Sequence, residues 1–171
     1  MDLRDQEFRE FRLDLDHVEG YRFACQASEQ GMAHGETFFS DEPDPVGAAS
    51  APATPALLGA AVGHCLSASL LEALRHAHLD VTGMSTQVIS VVAAGAEGLP
   101  RIHHVDVVIR PQLADLAPRA RRCQEVFERH CTVTSSVRQG IDVRVRVDWE
   151  SAPGADSVPA DLVAADPPAT P

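Results

Sequence analysis

The sequence predicts a single domain of the α+β class. Strand-like segments are grouped before and after a long apolar helix at residues 56–78, and they do not alternate one-for-one with helices. The chain has 171 residues, of which 44% are hydrophobic, and this suits one globular domain with a sizeable core. We divide it into a charged segment at 1–8, a folded domain at 9–150, and a tail at 151–171 that is rich in Pro, Ala and Asp and expected to be disordered.

The first elements are short strands. Gly20 marks a turn between two strand-like segments, which predicts a hairpin of Phe11–Asp16 and Tyr21–Gln26. The segment GETFFSD at 35–41 is expected to add a third strand. Residues 41–55 are rich in Pro, Gly, Ala and Ser, so they predict a loop.

Residues 56–78 give the strongest helix signal, with a length of roughly 33 Å for such a segment. Thr54 is expected to cap the helix, and Pro55 is tolerated in a first turn. Apolar residues nearly encircle the helix, so we expect it to be covered on most sides, with Gly59 and Gly63 letting other backbones approach closely. Polar residues interrupt the apolar run, so we interpret it as a core helix and not as a membrane span.

The second half of the chain predicts two strands, a helix, a helical turn and a last strand. The strictly alternating segment IDVRVRVDW gives the clearest pattern, that of a half-buried strand with its two arginines outward. The predicted bounds are 84–95 and 101–111 for the two strands, 115–130 for the helix with Asp115 as its cap, the stretch from after Cys131 to Gly140 for the helical turn, and 141–149 for the last strand.

Charge and compartment narrow the classes of partner. The formal net charge is −11, which repels nucleic acid and anionic membrane surfaces, so we expect neither as a main partner. The N-terminus is highly charged and lacks the apolar stretch of a secretory signal peptide, so we expect a cytoplasmic protein. Thiols are normally kept reduced there, and the four cysteines therefore suggest redox chemistry, metal binding or packing before a disulfide framework.

Two of the cysteines have surroundings that suit chemistry. Cys65 lies on the least apolar stripe of the long helix, which also holds the residues 4, 7 and 11 positions further on: Ser69, Glu72 and His76. Cys131 precedes a predicted helix, whose free N–H groups would stabilise a thiolate. Packing as a small core residue is the alternative for both, and it is our interpretation of Cys25 and Cys123.

The sequence gives little support for a metal or another cofactor. Two His–Cys dipeptides are present, but neither matches a zinc-ligand spacing such as C-x-x-C, and we expect no metal site. The sequence also contains no phosphate-cradling Gly-rich loop and no Gly-x-Ser-x-Gly motif.

Three segments in this order resemble the OsmC/Ohr family of thiol-dependent peroxidases. SDEPDPVGAASAPATPALL is similar to the family's acidic, Pro- and Gly-rich lead into its central helix, and LLGAAVGHCLSASLLEAL to that helix with the first cysteine. HCTVTSSVRQGIDVRVRVD is similar to the segment with the second cysteine, a short helix and the last strand. The two cysteines are 66 positions apart, a separation of the family's kind, and the resemblance covers about residues 10–149.

The resemblance implies an OsmC-like fold, in which antiparallel sheets wrap around a central helix in an intertwined homodimer with active sites at the interface. By the same resemblance Cys65 attacks the peroxide O–O bond and becomes a sulfenic acid. Cys131 then condenses with it to a disulfide, which a dithiol such as a lipoyl group or a small thiol reduces.

The sequence departs from the family at the residues that support the thiolate. The family pairs an arginine with a glutamate near the start of the central helix, but counting back from the cysteine places Pro55 at the glutamate position. Arg22, near the first hairpin turn, is our first candidate for the arginine and Arg12 the second. His64 is a candidate substitute as base or charge partner, while Glu72 could raise the pKa of the thiol.

Two functions follow from the resemblance. The first is a peroxidase that reduces organic hydroperoxides or hydrogen peroxide in oxidative stress defence. The alternative is a non-catalytic binding or stress-response module with an interfacial pocket, which the missing glutamate favours. A structural zinc protein is a third and weaker hypothesis.

Overall fold

The computed structural model describes residues 9–114 and 118–149. The predicted segment 1–8, the predicted tail and the predicted cap Asp115 lie outside this part of the chain. Contacts divide the chain into a larger unit through Ser135, which holds both sheets and the candidate site, and a C-terminal unit from Ser136.

The N-terminal sheet has three antiparallel strands in the order β1–β2–β3. They are β1 (Phe11–Glu19), β2 (Arg22–Glu29) and β3 (Met32–Ser40). The predicted hairpin and third strand are confirmed, although each strand is longer than its prediction. Cys25 is buried in this sheet as the packing interpretation expected, but many apolar side chains of the sheet are exposed, including Phe11, Leu13, Leu15 and Met32.

A loop anchored on Asp41 joins this sheet to the long helix. The buried Asp41 carboxylate accepts hydrogen bonds from the Ser50 hydroxyl at 2.8 Å and from the backbone N–H groups of Ser50, Glu42 and Ala48. The hydrogen bonds from Ser50 are the main reason why the pKa of Asp41 lies below its ordinary value. The carboxylate therefore holds the loop closed just before the helix begins.

The long helix, α1 (Thr54–His76), begins at Thr54 itself, so the prediction that Thr54 caps it is wrong. Ala53 occupies the capping position without a side-chain hydrogen bond, and Pro55 lies in the first turn as predicted. Leu66, Leu70 and Leu74 recur every four residues and bury one face of the helix.

The second sheet is a long antiparallel pair, β4 (Val81–Ala94) and β5 (Pro100–Leu113), as the two predicted strands required. Helix α1 packs on β4 through its glycines, as expected. A Cβ atom added to Gly63 would lie 2.5 Å from Cγ2 of Val88, and one added to Gly59 would lie 2.7 Å from Oγ of Ser90. Only glycine therefore fits this seam.

The expectation that α1 is covered on most sides is wrong for the single chain. Six of its 23 residues are buried, while Ala60, Ala61, His64 and Ala68 are exposed. By length and composition alone α1 would also qualify as a membrane span, although core helices of soluble proteins pass the same test. Its glycine seam against β4 is the packing of a core helix.

The predicted helix at 115–130 is divided in the structure. It forms α2 (Arg119–Val126) followed by a 3₁₀ turn at Phe127–His130, because the backbone tightens before Cys131. The predicted helical turn is confirmed as α3 (Thr132–Gln139).

The predicted strand at 141–149 is wrong for the single chain, because these residues have no regular secondary structure here. A strand needs a second strand for its backbone hydrogen bonds, and alternation alone does not supply one. Its apolar residues are exposed, namely Ile141, Val143, Val145, Val147 and Trp149.

Candidate functional site

Cys65 borders an open groove of about 840 Å³ beside α1. The stripe predicted from the sequence forms one wall of this groove, since Ser69, Glu72 and His76 line it together with Cys65. Ala68 and Ala73 line it as well, which leaves room between the longer side chains. The periodicity of a single helix therefore placed one wall of the site correctly.

The opposite wall comes from α2 and the 3₁₀ turn. Sγ of Cys123 donates a hydrogen bond to the carbonyl of Ala73 at 3.3 Å, and Nη2 of Arg119 donates to the carbonyl of His78 at 3.2 Å. These contacts show that α2 runs antiparallel to α1. The wall consists of Arg119, Arg122, Cys123, Val126 and His130.

Cys131 lies between the 3₁₀ turn and α3, where it is fully buried at 0% exposure. Its sulfur is 3.1 Å from Oγ1 of Thr134 and accepts the N–H of Thr134 at 3.5 Å. Thr134 is itself buried, with 6% of its surface exposed. The N-terminal turn of α3 is thus closed around the sulfur, as the sequence predicted for Cys131.

The two thiols meet at this end of the groove. A hydrogen bond joins the side chains of Cys65 and Cys131, and the backbone N–H groups of Thr132 and Val133 point at the Cys65 sulfur. Both thiols are free in the structure. Two sulfurs in hydrogen-bond contact need little movement to form a disulfide.

The environment drives the pKa values of the two thiols in opposite directions. Burial raises the pKa of Cys65, and the hydrogen bond with Cys131 raises it further. Burial also acts to raise the pKa of Cys131. Hydrogen bonds from Cys65 and from Thr134 outweigh this effect, so the pKa of Cys131 is lowered. The groove thus exposes the weaker acid of the pair and buries the stronger one.

A family model described as OsmC-like protein matches residues 47–146, more than half of the chain and including both thiols. The chain belongs to the OsmC-like family. Among curated proteins no significant match is found.

Solved structures of OsmC-like proteins have the same fold. An OsmC-like protein of unknown function from Vibrio cholerae is 10% identical, with a TM-score of 0.59 and coverage of 76% of this chain and 93% of the other. An organic hydroperoxide resistance protein from Legionella pneumophila is 13% identical, with a TM-score of 0.55 and coverage of 80% and 93%. One from Elizabethkingia anophelis, with thiocyanate bound, is 12% identical, with a TM-score of 0.53 and coverage of 80% and 91%. At such identities the likeness confirms the predicted fold alone.

The predicted supporting residues of this OsmC-like site do not line the groove. Arg22 is on β2, with its guanidinium 4.1 Å from the centre of the Phe39 ring, and its buried Nε has no hydrogen-bond partner in the described part of the chain. Arg12 is exposed and pairs with Asp14. His64 is exposed on α1, and Pro55 is a turn-forming residue at the start of the helix.

Glu72 is paired with His76, whose Nδ1 is 3.2 Å from Oε1 of the carboxylate. Burial and Cys131, and not Glu72, are the main causes of the raised pKa of Cys65. Within residues 9–114 and 118–149, no cluster of three or more His, Cys, Asp or Glu side chains could hold a metal ion.

Sequence reasoning missed Thr134, Arg119 and Arg122. A signal for Thr134 was available, because a hydroxyl residue three positions after a residue that precedes a helix can contact it across the first turn. The charged run RARR gave no such signal, because its place in the groove depends on the packing of α2 against α1.

Proposed function

We propose that this OsmC-like protein is a thiol-dependent peroxidase that reduces organic hydroperoxides through Cys65 and Cys131 in oxidative stress defence. The observation that carries the proposal is the contact between a groove-lining thiol and a buried second thiol. We place the protein in the cytoplasm, where thiols are kept reduced and the pair would be ready to react with a peroxide.

Access from the groove determines which of the two thiols attacks the peroxide and which resolves the sulfenic acid. Cys65 borders the groove and is the thiol that a peroxide can reach, so it attacks the outer peroxide oxygen and breaks the O–O bond. The products are a sulfenic acid on Cys65 and an alcohol. Cys131 then attacks that sulfur, a disulfide forms and water leaves. A dithiol, such as a lipoyl group, or a small thiol reduces the disulfide.

The shape of the groove supports an organic hydroperoxide over hydrogen peroxide. From Cys65 to Ala77 the groove follows α1 for roughly 18 Å at the rise of an α-helix. Alanines, Cys123 and Val126 provide apolar contact along this length, and Arg119 and Arg122 lie towards the far end. An alkyl chain would therefore lie along the groove with its peroxide at Cys65.

We further propose that the active form is an intertwined homodimer. The support is the apolar surface that one chain leaves uncovered: the outward face of α1, the N-terminal sheet and the alternating residues 141–149. In such a dimer Arg22, whose Nε is buried without a partner in the described chain, is the candidate arginine for the thiol site across the interface.

The test is peroxide titration of the reduced protein. We expect loss of two thiols per chain and a Cys65–Cys131 disulfide in peptide mass spectra. Cys65→Ser should abolish turnover, whereas Cys123→Ser, which also removes a groove-lining thiol, should retain it. Equal turnover by Cys65→Ser and the parent would refute the peroxidase.

A non-catalytic binding module is the second candidate, and the raised pKa of Cys65 favours it, because a neutral thiol is a poor nucleophile. Thiol titration separates the two. If both thiols react with an alkylating reagent only above about pH 8.5, the ordinary thiol value, the binding module is supported. Reaction well below that value supports the peroxidase.

A further inference from the structure

The thiol pair has an internal asymmetry that the roles of attacking and resolving thiol do not explain. Cys65 is the reachable sulfur, yet Cys131 is the sulfur that has both a hydroxyl and a backbone N–H of the buried Thr134 within hydrogen-bond distance. Thr134 donates its backbone N–H to that sulfur, and its Oγ1 accepts a hydrogen bond from the Cys131 thiol. A hydroxyl can rotate to accept from a thiol or to donate to a thiolate, so Thr134 serves either protonation state of Cys131.

We propose that Cys131 holds the negative charge of the resting thiol pair and accepts the proton of Cys65 as Cys65 attacks, with Thr134 as the residue that positions Cys131 for this role. The proposal rests on the peroxidase function proposed above. By this proposal Cys131 is the base for the Cys65 thiol, in a chain that has Pro55 at the position of the family's glutamate.

The geometry favours Cys131 over the other groups near Cys65 as the acceptor of the Cys65 proton. Among the described residues, the Cys65 thiol donates a hydrogen bond to Cys131, and its sulfur accepts from the backbone N–H groups of Thr132 and Val133. A backbone N–H cannot accept a proton, so Cys131 is the acceptor in contact. The lowered pKa of Cys131, which results from hydrogen bonds that outweigh its burial, is consistent with this role.

The remaining charged or titratable side chains of the groove line it from both walls. Glu72 is committed to His76 by an ion pair, and Arg119 donates to the carbonyl of His78 beyond the end of α1. The arginines would stabilise a thiolate by attraction but take no proton, and the Cys65 sulfur makes its hydrogen bonds with Cys131 and the backbone and not with Glu72 or a groove histidine. The groups in question are Glu72 and His76 on α1, Arg119 and Arg122 on α2, and His130 on the 3₁₀ turn.

The steps balance as follows. The resting pair is a neutral Cys65 thiol and a Cys131 thiolate. The proton passes from Cys65 to Cys131, the Cys65 sulfur takes the outer peroxide oxygen with its hydrogen, and the alkoxide that leaves recovers the proton from Cys131 as an alcohol. Cys131, again a thiolate, displaces hydroxide from the sulfenic acid. Two thiol sulfurs are oxidised to a disulfide, and one peroxide is reduced to an alcohol and hydroxide.

The test measures the first step by itself, as alcohol released in a single turnover of reduced protein mixed with an alkyl hydroperoxide across a range of pH. We expect the parent rate to reach half of its maximum well below the ordinary thiol value. In Cys131→Ser the half-maximum should move to about pH 8.5 or above, because Cys65 then has to ionise by itself. Cys25→Ser is the matched control, because it removes a buried thiol of the N-terminal sheet that does not line the groove, and it should keep the parent profile.

Variants of Thr134 test whether this residue positions Cys131 or only helps to keep the protein folded. Thr134→Val keeps the shape but removes the hydroxyl, so its half-maximum should move upward, and Thr134→Ser should restore the parent profile. Circular dichroism checks that each variant is folded. An unchanged profile in Thr134→Val would overturn the role of Thr134.

The outcomes for Cys131 are also distinct. If Cys131→Ser released alcohol with the parent's pH profile and lacked only the disulfide, Cys131 would be a resolving thiol alone and this proposal would be wrong. If the parent released no alcohol and formed no disulfide, the peroxidase itself would be wrong, and this proposal with it.

Discussion

One face of α1 is closed against β4, and the other is open to a groove. On the closed face, Gly59 and Gly63 bring the helix backbone against β4 so tightly that no Cβ atom would fit. On the open face, Cys65 and Glu72 border a groove. The contrast teaches that the glycine seam fixes where the reactive thiol lies, while the open face determines what can reach it. Mutations on the two faces should therefore have separable effects.

The largest effect is expected on the closed face. Gly63→Val would drive a side chain into Val88, which already lies within 2.5 Å of the added Cβ position, and β4 would have to move away. We expect a loss of about 3 kcal/mol of folding free energy, at the upper end for overpacking. Urea unfolding measures it, and Ala68→Val on the open face is the matched control, expected within about 0.5 kcal/mol of the parent. Equal losses of folding free energy in the two variants would show that the two faces of α1 do not differ in packing.

The second effect is expected on the open face and on activity. Ala68 is exposed and lines the groove, so Ala68→Phe should fill part of the groove while leaving the fold intact. We expect KM for a long-chain hydroperoxide to rise about tenfold or more. Hydrogen peroxide, which needs no room for a chain, should be turned over as by the parent. A uniform loss with both substrates would show that the groove does not select by size.

The third prediction concerns the loop that leads into α1. The Asp41 carboxylate is stabilised by hydrogen bonds from Ser50, and its folded-state pKa is therefore lowered. Its contribution to stability is present above the unfolded-state pKa of about 3.9 and is lost as the pH falls through the lower folded-state pKa. Asp41→Asn should lower Tm at neutral pH, and the difference from the parent should shrink in acid. A difference that grows in acid would contradict the assignment.

The fourth prediction tests the charge at the far end of the groove. Arg122→Gln removes a cation that lines the groove, whereas Arg121→Gln removes its exposed neighbour, which does not line it. We expect kcat/KM for a hydroperoxide with a carboxylate at its other end to fall about two- to fivefold in Arg122→Gln alone, since exposed charge pairs are weak. The methyl ester of the same hydroperoxide should not distinguish the variants. Equal losses with acid and ester would remove Arg122 from substrate selection.

The sequence predicted features that depend on a few neighbouring residues. The stripe of Cys65, Ser69, Glu72 and His76 follows from helical periodicity, and the place of Cys131 before α3 follows from a helix boundary. The pairing of the two thiols came from the family resemblance, because they are 66 positions apart and no local pattern connects them.

Features that depend on distant packing were not predicted. Arg119 and Arg122 reach the groove only because α2 runs antiparallel to α1, which no local pattern encodes. Residues 141–149 carry the alternation of a strand, but they pair with no strand in the part of the chain that the structure describes. Thr54 failed as a cap because the helix begins one residue too early for it.

The smallest effect is expected from Glu72, and it separates two explanations of the open face. Glu72 and His76 are both well exposed, at 64% and 76% for their side chains, so Glu72→Gln should change stability by about 0.5 kcal/mol or less. If a carboxylate on the stripe raised the pKa of Cys65, this variant would move the pH profile of the first step downward. The contacts instead attribute the raised pKa to burial and to Cys131, so the profile should stay where it is. A single-turnover pH series decides between the two, because a downward shift would make Glu72, and not the second thiol, the group that tunes Cys65.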